Sequence, residues 1–365
     1  MDSKLFSELQ FRNHVVTNRI VVSPMCQYAA EPDGLVTDWH RAHYLQLAIS
    51  GAGMLVLEST AVSEDGRIST GDLGLYSELQ AKRMADLVAL IKSWSDVKIG
   101  IQLSHAGRKG GNSNVPNSGG TQQLLWELVS PSSVSLTKNS PVPRALKYSD
   151  ITELKNYFIV SSKFALDAGF DFIELHLAHG YLLHQFLSPI SNRRTDEYGG
   201  SFENRVRFPL EVFEEIVKIW RSRGSVGARI TGTDWIDGGI DPLEAAKLAE
   251  MIKLLGGDYV CVSSGGIIPI TNMLRAPLFQ VPFANLIKEK VGICTRAVGY
   301  ITTYEQAENI VANNSADLVA IGREYLKNPR WTWEASARAG RMLDIPYPYQ
   351  KTYREMFYDK ECKAD

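Results

Sequence analysis

Three side chains in one short segment are the clearest candidates for catalytic residues in this chain. His176 and His179 lie three positions apart, and Tyr181 follows two positions later. Two imidazole N–H groups beside a phenol are suited to holding a carbonyl oxygen and to delivering a proton to the molecule that bears it. Two structural histidines are the alternative. A metal site is not expected, because there is no HExxH arrangement and no evident carboxylate partner.

A second set of residues has the composition of a phosphate site. Gly299 follows one apolar run, and Gly322 and Arg323 follow the next one. Glycine lets backbone N–H groups approach a phosphate closely, and an arginine adds a charge-assisted bond. Each glycine taken alone could be an ordinary turn residue. Two such glycines in consecutive segments, with an arginine beside one of them, favour phosphate binding.

Cys26, which follows Ser23, Pro24 and Met25, could be either a reactive thiol or a buried structural cysteine. Reactivity requires a neighbour that lowers the pKa of the thiol, and a sequence does not reveal one. The remaining cysteines are Cys261, Cys294 and Cys362. Because the four are scattered and form no CxxC pair, neither a disulfide framework nor a zinc site is predicted.

All of these residues follow short apolar runs that alternate with helix-like segments. The runs that predict strands are 20–22, 54–57, 99–103, 172–175, 228–230, 259–262, 297–299 and 318–321. Most are apolar on both faces, as buried parallel strands are. Helix-start signals lie between them, such as Asp241 and Pro242 followed by Glu244. The alternation predicts a (β/α)8 barrel, whose active site lies at the C-terminal strand ends. The competing doubly wound sheet would carry a GxGxxG turn, which is absent.

Two segments interrupt this alternation. Residues 107–148 are rich in Gly, Asn, Ser and Pro with little periodicity, and a loop of that length is usually functional or mobile. Because it follows the third strand, we predict that it lies over the mouth of the barrel as a lid. An aromatic-rich tail occupies residues 345–365, where it could pack on the barrel or contact a partner. The whole chain, 1–365, is predicted to be one barrel domain.

Composition limits the partners of this protein. Its 365 residues include 39 Lys and Arg against 41 Asp and Glu, a net charge of −2, which disfavours nucleic acid and anionic membranes as partners. Hydrophobic residues make up 44% of the chain, enough for a large core. No apolar run approaches the roughly 20 residues that cross a bilayer, and the first residues lack a signal-peptide pattern. We therefore expect a cytoplasmic protein.

Longer motifs resemble the old yellow enzyme family. They are SPMCQY at 23–28, QLSHAGRK at 102–109, HLAHGY at 176–181, RTDEYGGS at 194–201 and ENR at 203–205. The cysteine after Ser-Pro-Met is similar to that of the thermophilic-like branch, which includes bacterial NADPH dehydrogenases and xenobiotic reductases. The resemblance extends from Leu5 to the region of residue 350.

This resemblance implies a TIM barrel that holds FMN non-covalently. It implies reduction by NADPH, with NADH as a second donor, and then hydride transfer from flavin N5 to the β-carbon of an α,β-unsaturated carbonyl compound. Ser59 and Gln102 would contact the flavin ring, Arg229 would lie by its N1–C2 carbonyl, and Cys26 would tune its potential. The implied cofactor residues are Ser23, Pro24, Met25, Cys26, Ser59, Gln102, Arg229, Ser264, Gly299, Gly322 and Arg323.

The same resemblance implies that His176 and His179 bind the carbonyl oxygen of the substrate and that Tyr181 protonates its α-carbon. Tyr28 would also contact the substrate. Some members place a C-terminal arginine in the active site of a neighbouring subunit. Arg354 matches that arginine after a one-residue shift, which fits a homodimer or a higher homo-oligomer.

Two other functions stay open at this point. A phosphate-binding barrel could be a lyase or isomerase, which usually requires a Schiff-base lysine or a carboxylate base. Glu58 and Glu174 are the strand carboxylates nearest such positions. A redox sensor acting through Cys26 would instead bind flavin without turnover.

Overall fold

Strands and helices alternate through the computed structural model, which describes residues 2–112, 124–269 and 276–358. The strands are β1 (Leu9–Phe11), β2 (His14–Val16), β3 (Ile20–Val22), β4 (Met54–Ala61), β5 (Lys98–Ser104), β6 (Val129–Ser130), β7 (Arg144–Ala145), β8 (Phe172–Leu177), β9 (Ser225–Thr231), β10 (Tyr259–Ser263), β11 (Cys294–Ala297) and β12 (Leu318–Ile321). The helices are α1 (Asp38–Ala48), α2 (Glu78–Lys92), α3 (Tyr148–Asp167), α4 (Leu182–Leu187), α5 (Phe202–Trp220), α6 (Pro242–Leu254), α7 (Val281–Val291), α8 (Tyr304–Ala312), α9 (Arg323–Lys327), α10 (Trp331–Arg338) and α11 (Tyr347–Phe357).

Eight of these strands form a closed parallel barrel in the order β3, β4, β5, β8, β9, β10, β11 and β12. Val319 of β12 pairs with Ile20 of β3, which closes the ring. The predicted (β/α)8 barrel is confirmed. The seventh strand is displaced from its predicted place at 297–299 to Cys294–Ala297. Arg296 explains the displacement, because its side chain interrupts the apolar pattern yet is fully buried in an ion pair with Glu174.

Side-chain caps start several of the outer helices, among them α2, α5, α6 and α8, and α6 begins as the sequence predicts. Asp241 Oδ1 accepts the backbone N–H groups of Leu243 and Glu244, and Pro242 occupies the first turn. A cap of this kind stabilises a helix by about 1 kcal/mol. It therefore fixes the point at which the connection after β9 ends and α6 begins.

The β1–β2 hairpin covers the N-terminal end of the barrel. Phe11 and Val16 of the hairpin join a buried apolar cluster that contains Met54 and Tyr259 from the barrel strands. The rings of Phe11 and Tyr259 meet edge to face, with centroids 5.9 Å apart. This apolar layer fills one end of the barrel, so the polar candidate residues lie toward the other.

A buried polar network follows inside the barrel. Glu174 of β8 binds the Arg296 guanidinium, and it accepts Gln102 Nε2 at 2.7 Å and the Tyr259 hydroxyl at 3.2 Å. The Glu174 and Arg296 side chains are fully buried. A buried ion pair is stable only when further hydrogen bonds satisfy the groups that the pair leaves unpaired. The Glu174 carboxylate thus has a structural role, which weakens the case for it as the base of a lyase or isomerase.

We expect Glu174→Gln to destabilise the fold by about 3–5 kcal/mol, because it leaves the Arg296 guanidinium buried without its carboxylate. Urea unfolding followed by circular dichroism measures this loss. Glu250→Gln, which changes an exposed side chain, is the control and should lie within about 0.5 kcal/mol of the wild type. Equal stabilities of the two variants would contradict the structural role of Glu174.

The long connection after β5 is anchored at both of its described ends. Arg108 donates to the Ile267 carbonyl oxygen at 2.6 Å. Arg194, which follows α4, donates to the carbonyl oxygens of Pro131 and Leu146 at 3.0 and 2.6 Å. Segments 107–112 and 124–148 therefore pack on loops that follow β8 and β10. Residues 113–123 of the predicted lid lie outside the described residues, and its action as a lid stays a prediction.

The C-terminal tail packs on the outside of the barrel through aromatic side chains. Tyr353 of α11 meets Trp333 of α10 with ring centroids 5.4 Å apart, and Ile345 joins them in a small core. Arg354 is exposed on α11. It lies outside the cavity described below, so its contact with the site of a neighbouring subunit stays a prediction. Residues 359–365 lie outside the described residues.

Candidate active site

The segment after β8 brings the two candidate histidines together. His176 Nδ1 accepts the backbone N–H of Ala178 at 3.2 Å, so the ring proton resides on Nε2. That Nε2 faces His179 Nδ1 at 3.2 Å, and His179 Nε2 lies 2.7 Å from Ser263 Oγ on β10. These contacts orient both imidazoles at the C-terminal end of the barrel.

Both histidines are neutral at pH 7. Burial lowers the pKa of His176 and of His179 well below the usual range, and the Arg229 guanidinium lowers it further. A neutral imidazole offers one N–H donor and one acceptor nitrogen. The environment therefore suits these rings to hydrogen bonding with an oxygen rather than to carrying positive charge.

Tyr181 lies against the same pair of rings. Its ring meets the His176 ring edge to face, with centroids 4.9 Å apart. Burial raises the pKa of Tyr181 well above the usual range, so the phenol keeps its proton through neutral pH. The structure thus brings His176, His179 and Tyr181 together, as the sequence predicts.

Lys109 is a further polar residue of this site. It ends the QLSHAGRK motif, but the sequence alone assigns it no role. Its ammonium lies 5.2 Å from the centroid of the Tyr181 ring, and it donates to the carbonyl oxygens of His179 at 2.7 Å and Gly266 at 3.2 Å. Burial, followed by the charge of Arg108, lowers the pKa of Lys109 to about 8. This cation supports the His179 backbone, whose φ of 60° is unusual for a residue other than glycine.

A cavity of about 620 Å³ opens beside His179. Its volume lies in the range of sites for cofactors and drug-sized ligands, about 300–1,000 Å³. The predicted site residues that line it are Ser23, Met25, His179, Arg229, Ser264, Gly299, Gly322 and Arg323. They follow or belong to six different barrel strands, which is the expected arrangement of a barrel active site.

One part of this cavity has the features of a phosphate site. Gly299 has a φ of 114°, which favours glycine, and a Cβ on Gly322 would lie 3.3 Å from Met25 Sδ. Arg323 stacks on the ring of Tyr300, 3.9 Å from its centroid, and it lines the same cavity as both glycines. Glycine backbone N–H groups and an arginine are the donors that a flavin phosphate requires.

Arg229 brings an unused donor to the same cavity. Its Nε is buried and has no hydrogen-bond partner among the residues that the structure describes. A buried N–H group without a partner indicates a missing acceptor. A cationic donor in this place fits the carbonyl and ring-nitrogen edge of a flavin. Together with the glycines and Arg323, the residues present are those that would hold FMN.

The Cys26 thiol is not activated in this environment. Burial raises its pKa well above the usual range, and the charges of Asp72 and Glu58 raise it further. The Tyr28 hydroxyl is hydrogen-bonded to the thiol, and Tyr28 has a φ of 53°. Glu58 accepts the backbone N–H of Gln27 at 2.9 Å, which ties this loop to β4. A neutral thiol is a poor nucleophile.

The other predicted site residues surround the cavity less directly. Those that do not line it are Pro24, Cys26, Tyr28, Ser59, Gln102, His176 and Tyr181. Gln102 donates its Nε2 to Glu174, which leaves its carbonyl oxygen as the atom available to a ligand. The backbone of Ser59 is hydrogen-bonded to Cys26. Their contacts with a cofactor or substrate stay predictions.

Gln280 completes the cavity wall, although no sequence signal points to it. Its Nε2 donates to Ser263 Oγ at 3.1 Å and to Ser264 Oγ at 2.8 Å. The residue immediately precedes α7. Only its spatial neighbours reveal that it orients two serines of the site.

No cluster of three or more His, Cys, Asp or Glu side chains that could hold a metal occurs in the described ranges 2–112, 124–269 and 276–358. Within that same part of the chain, no helix has the length and apolar character needed to cross a membrane.

The features of this site are those expected of a flavin-dependent oxidoreductase. They are a parallel barrel with hydrogen-bond donors for a phosphate, an arginine donor without a partner among the described residues, and a neutral His–His–Tyr group at the barrel mouth. The model of the NADH:flavin oxidoreductase / NADH oxidase family matches residues 4–341. The chain belongs to this family.

Individual relatives agree with this assignment. The chain is 39% identical over 355 residues to an NADPH dehydrogenase of Geobacillus sp. (strain WCH70), covering 97% of this chain and 100% of the relative. It is 40% identical over 353 residues to an NADPH dehydrogenase of Listeria monocytogenes serovar 1/2a, covering 96% and 100%. Among solved structures, morphinone reductase has a TM-score of 0.77 at 25% identity, covering 97% of this chain and 93% of that one.

An old yellow enzyme homologue from Zymomonas mobilis also has a TM-score of 0.77 at 25% identity, with 96% of each chain covered. The resemblance to the old yellow enzyme family is thus confirmed. The chain is an oxidoreductase with FMN as its cofactor and NADPH as its reductant.

Proposed function

We propose that this enzyme reduces the activated C=C bond of α,β-unsaturated carbonyl compounds at the expense of NADPH. The observation that carries the proposal is the neutral His176–His179 pair in ring contact with a protonated Tyr181. A carbonyl substrate needs donors for its oxygen and an acid for its α-carbon, and this group offers both.

The cofactor residues of the proposal divide by chemistry. The Gly299 and Gly322 backbones, Ser264 and Arg323 would hold the phosphate, and Arg229 would donate to the N1–C2 carbonyl edge. When bound, FMN would supply hydride transfer from NADPH to the β-carbon of the substrate. The residues proposed to lie along its ring system are Ser23, Pro24, Met25, Cys26, Ser59 and Gln102.

The substrate-binding residues act on the carbonyl oxygen and on the α-carbon of the enone. A carbonyl oxygen bound here would replace His179 Nδ1 as the acceptor of the His176 Nε2–H, and it would replace Ser263 Oγ as the acceptor of the His179 Nε2–H. Tyr181 gives its proton to the α-carbon, and solvent restores the proton to the phenolate. The substrate thus gains a hydride and a proton, and NADPH loses the hydride.

Two peripheral roles belong to the same proposal. Tyr28 would contact the substrate from the loop after β3. Arg354, which is exposed on α11, would reach the site of a second copy of the chain in a homodimer or higher homo-oligomer.

The two alternatives have less support. A sensor acting through Cys26 requires a reactive thiol, whereas burial raises the pKa of this thiol. A lyase or isomerase requires an available base, whereas Glu174 is bound by Arg296, Gln102 and Tyr259. Glu58 accepts the Tyr44 hydroxyl at 2.8 Å and is also buried.

The direct test follows the purified protein, supplied with FMN, through one catalytic cycle. We expect anaerobic NADPH to bleach the flavin absorbance and 2-cyclohexenone to restore it with formation of cyclohexanone. NADH should act more slowly than NADPH. Bleaching by NADPH without any cyclohexanone would refute the proposed activity and leave a flavin-binding protein of another function.

A further inference from the structure

A buried pair of side chains lies behind the residues of the proposed mechanism. His184 of α4 and Asp234 of the loop after β9 have fully buried side chains, and His184 Nε2 lies 2.9 Å from Asp234 Oδ1. Neither residue lines the cavity described above. The pair therefore has no direct access to a substrate.

The partners of His184 define which nitrogen carries its proton. Its Nδ1 accepts the backbone N–H of Gly180 at 2.8 Å, so Nδ1 bears no hydrogen. The Thr231 hydroxyl, 3.4 Å from the same Nδ1, can also donate. The proton consequently resides on Nε2, which faces the carboxylate of Asp234.

Asp234 is held as a carboxylate by two donors on Oδ2 and by the His184 ring beside Oδ1. Oδ2 accepts the Ser188 hydroxyl at 2.7 Å and the backbone N–H of Ile240 at 2.9 Å, and Oδ1 faces His184. Burial by itself raises the pKa of Asp234, but His184 and these hydrogen bonds outweigh it and leave the pKa below the usual value. An ionised Asp234 keeps the His184 proton on Nε2.

The residue that His184 holds, Gly180, joins His179 to Tyr181. Its φ is 74°, and a Cβ there would lie 2.1 Å from the Gly266 carbonyl oxygen, so the backbone passes this point in a narrow space. Its carbonyl oxygen accepts Gln185 Nε2 at 2.7 Å. Both polar groups of the Gly180 backbone are therefore bound by side chains of α4.

The geometry points to His184 and Asp234 as a positioning dyad that sets the places of His179 and Tyr181 through the Gly180 N–H. Asp234 selects the tautomer of His184, and this tautomer supplies the acceptor that holds the turn. This inference rests on the proposed function, because the positions of His179 and Tyr181 matter only if His179 binds the carbonyl oxygen and Tyr181 donates the proton.

Asp234→Asn tests the tautomer directly. The introduced amide can present an N–H to His184 Nε2, which would move the ring proton to Nδ1 and set it against the Gly180 N–H. We expect the rate of reoxidation by 2-cyclohexenone to fall by about tenfold to hundredfold, because small displacements of reacting groups have effects of this size. FMN content and reduction by NADPH should stay at the wild-type level.

A double variant, His184→Asn with Asp234→Asn, distinguishes loss of the acceptor for the Gly180 N–H from general damage to the active site. The side-chain oxygen of an asparagine can take the place of His184 Nδ1 and accept the Gly180 N–H, and no unpaired carboxylate remains. Reoxidation by the enone should recover to within about threefold of the wild type, as expected if placement alone was lost. A double variant as slow as Asp234→Asn would overturn the inference.

Asp258→Asn is the matched control. Asp258 also accepts a backbone N–H, that of Val226 at 2.8 Å, but Val226 lies at the N-terminal end of β9, whereas Asp234 follows the C-terminal end of that strand. This variant should keep wild-type rates in both half-reactions even if its stability falls. Wild-type enone reoxidation in Asp234→Asn, or an equal decrease in Asp258→Asn, would remove the positioning role.

Nitrogen-15 NMR of the histidine rings gives a readout that does not depend on turnover. In the wild-type holoenzyme, we expect His184 to have a protonated Nε2 and a bare Nδ1, and Asp234→Asn to reverse them. A wild-type His184 protonated on Nδ1 would contradict the inference even if Asp234→Asn fails to fold. Absence of enone reduction in the wild type would instead refute the proposed function, so the two failures are distinguishable.

Discussion

Tyr181→Phe should slow reoxidation by 2-cyclohexenone by about 10²- to 10⁴-fold, the usual contribution of a positioned acid. Reduction by NADPH should stay within about twofold of the wild type, since hydride transfer from NADPH needs no proton donor. The structure supports this asymmetry, because burial keeps Tyr181 protonated and its ring lies against His176. Anaerobic stopped-flow absorbance measures the two half-reactions separately.

Tyr157→Phe is the matched control for this variant. The Tyr157 hydroxyl donates to Glu153 on the surface of α3, away from the cavity. Its removal should leave both half-reactions unchanged. Equal losses in the two half-reactions of Tyr181→Phe would indicate general damage to the site and would take the proton-donor role away from Tyr181.

Removal of both histidines should also have a large effect on the enone reaction. We expect His176→Ala with His179→Ala to lower kcat/KM for 2-cyclohexenone by about 10³-fold or more, since the loss of one oxyanion donor alone usually lowers the rate by about 10²- to 10³-fold. The double variant should also lose the long-wavelength charge-transfer band that a bound phenol gives with the flavin, because the phenolate oxygen occupies the carbonyl position.

The band is measured by absorbance while phenol is titrated into the enzyme at constant enzyme concentration. His14→Ala, which changes a histidine of the β1–β2 hairpin at the other end of the barrel, should keep both the band and the activity. A band of unchanged intensity in the double variant would mean that the oxyanion site lies elsewhere in the molecule.

The barrel could be predicted from the sequence because its strands are apolar on both faces. β11 shows the limit of this reasoning. Arg296 breaks its apolar pattern, and the partner that makes this arginine tolerable, Glu174, lies 122 residues away along the chain. The periodicity of a short segment does not reveal an ion pair between strands that are distant in sequence.

The candidate site divides in the same manner. His176, His179 and Tyr181 are close in sequence, so their types and spacing already indicated a donor pair beside an acid. The supporting contacts of Lys109 and of Gln280 arise only when loops from different strands meet. Their burial and hydrogen bonds therefore had to be found in three dimensions.

The unusual backbone angles at the mouth have a consequence for the stability of the whole enzyme. Tyr28, His179 and Tyr300 have φ values of 53°, 60° and 55°, and a conformation of this kind costs of order 1–3 kcal/mol per residue. Relaxing these residues would gain stability while misplacing the groups that the proposed reaction needs. Engineering for heat resistance should therefore leave the mouth alone and concentrate on the hairpin end and the outer helices, where stabilising changes and activity do not compete.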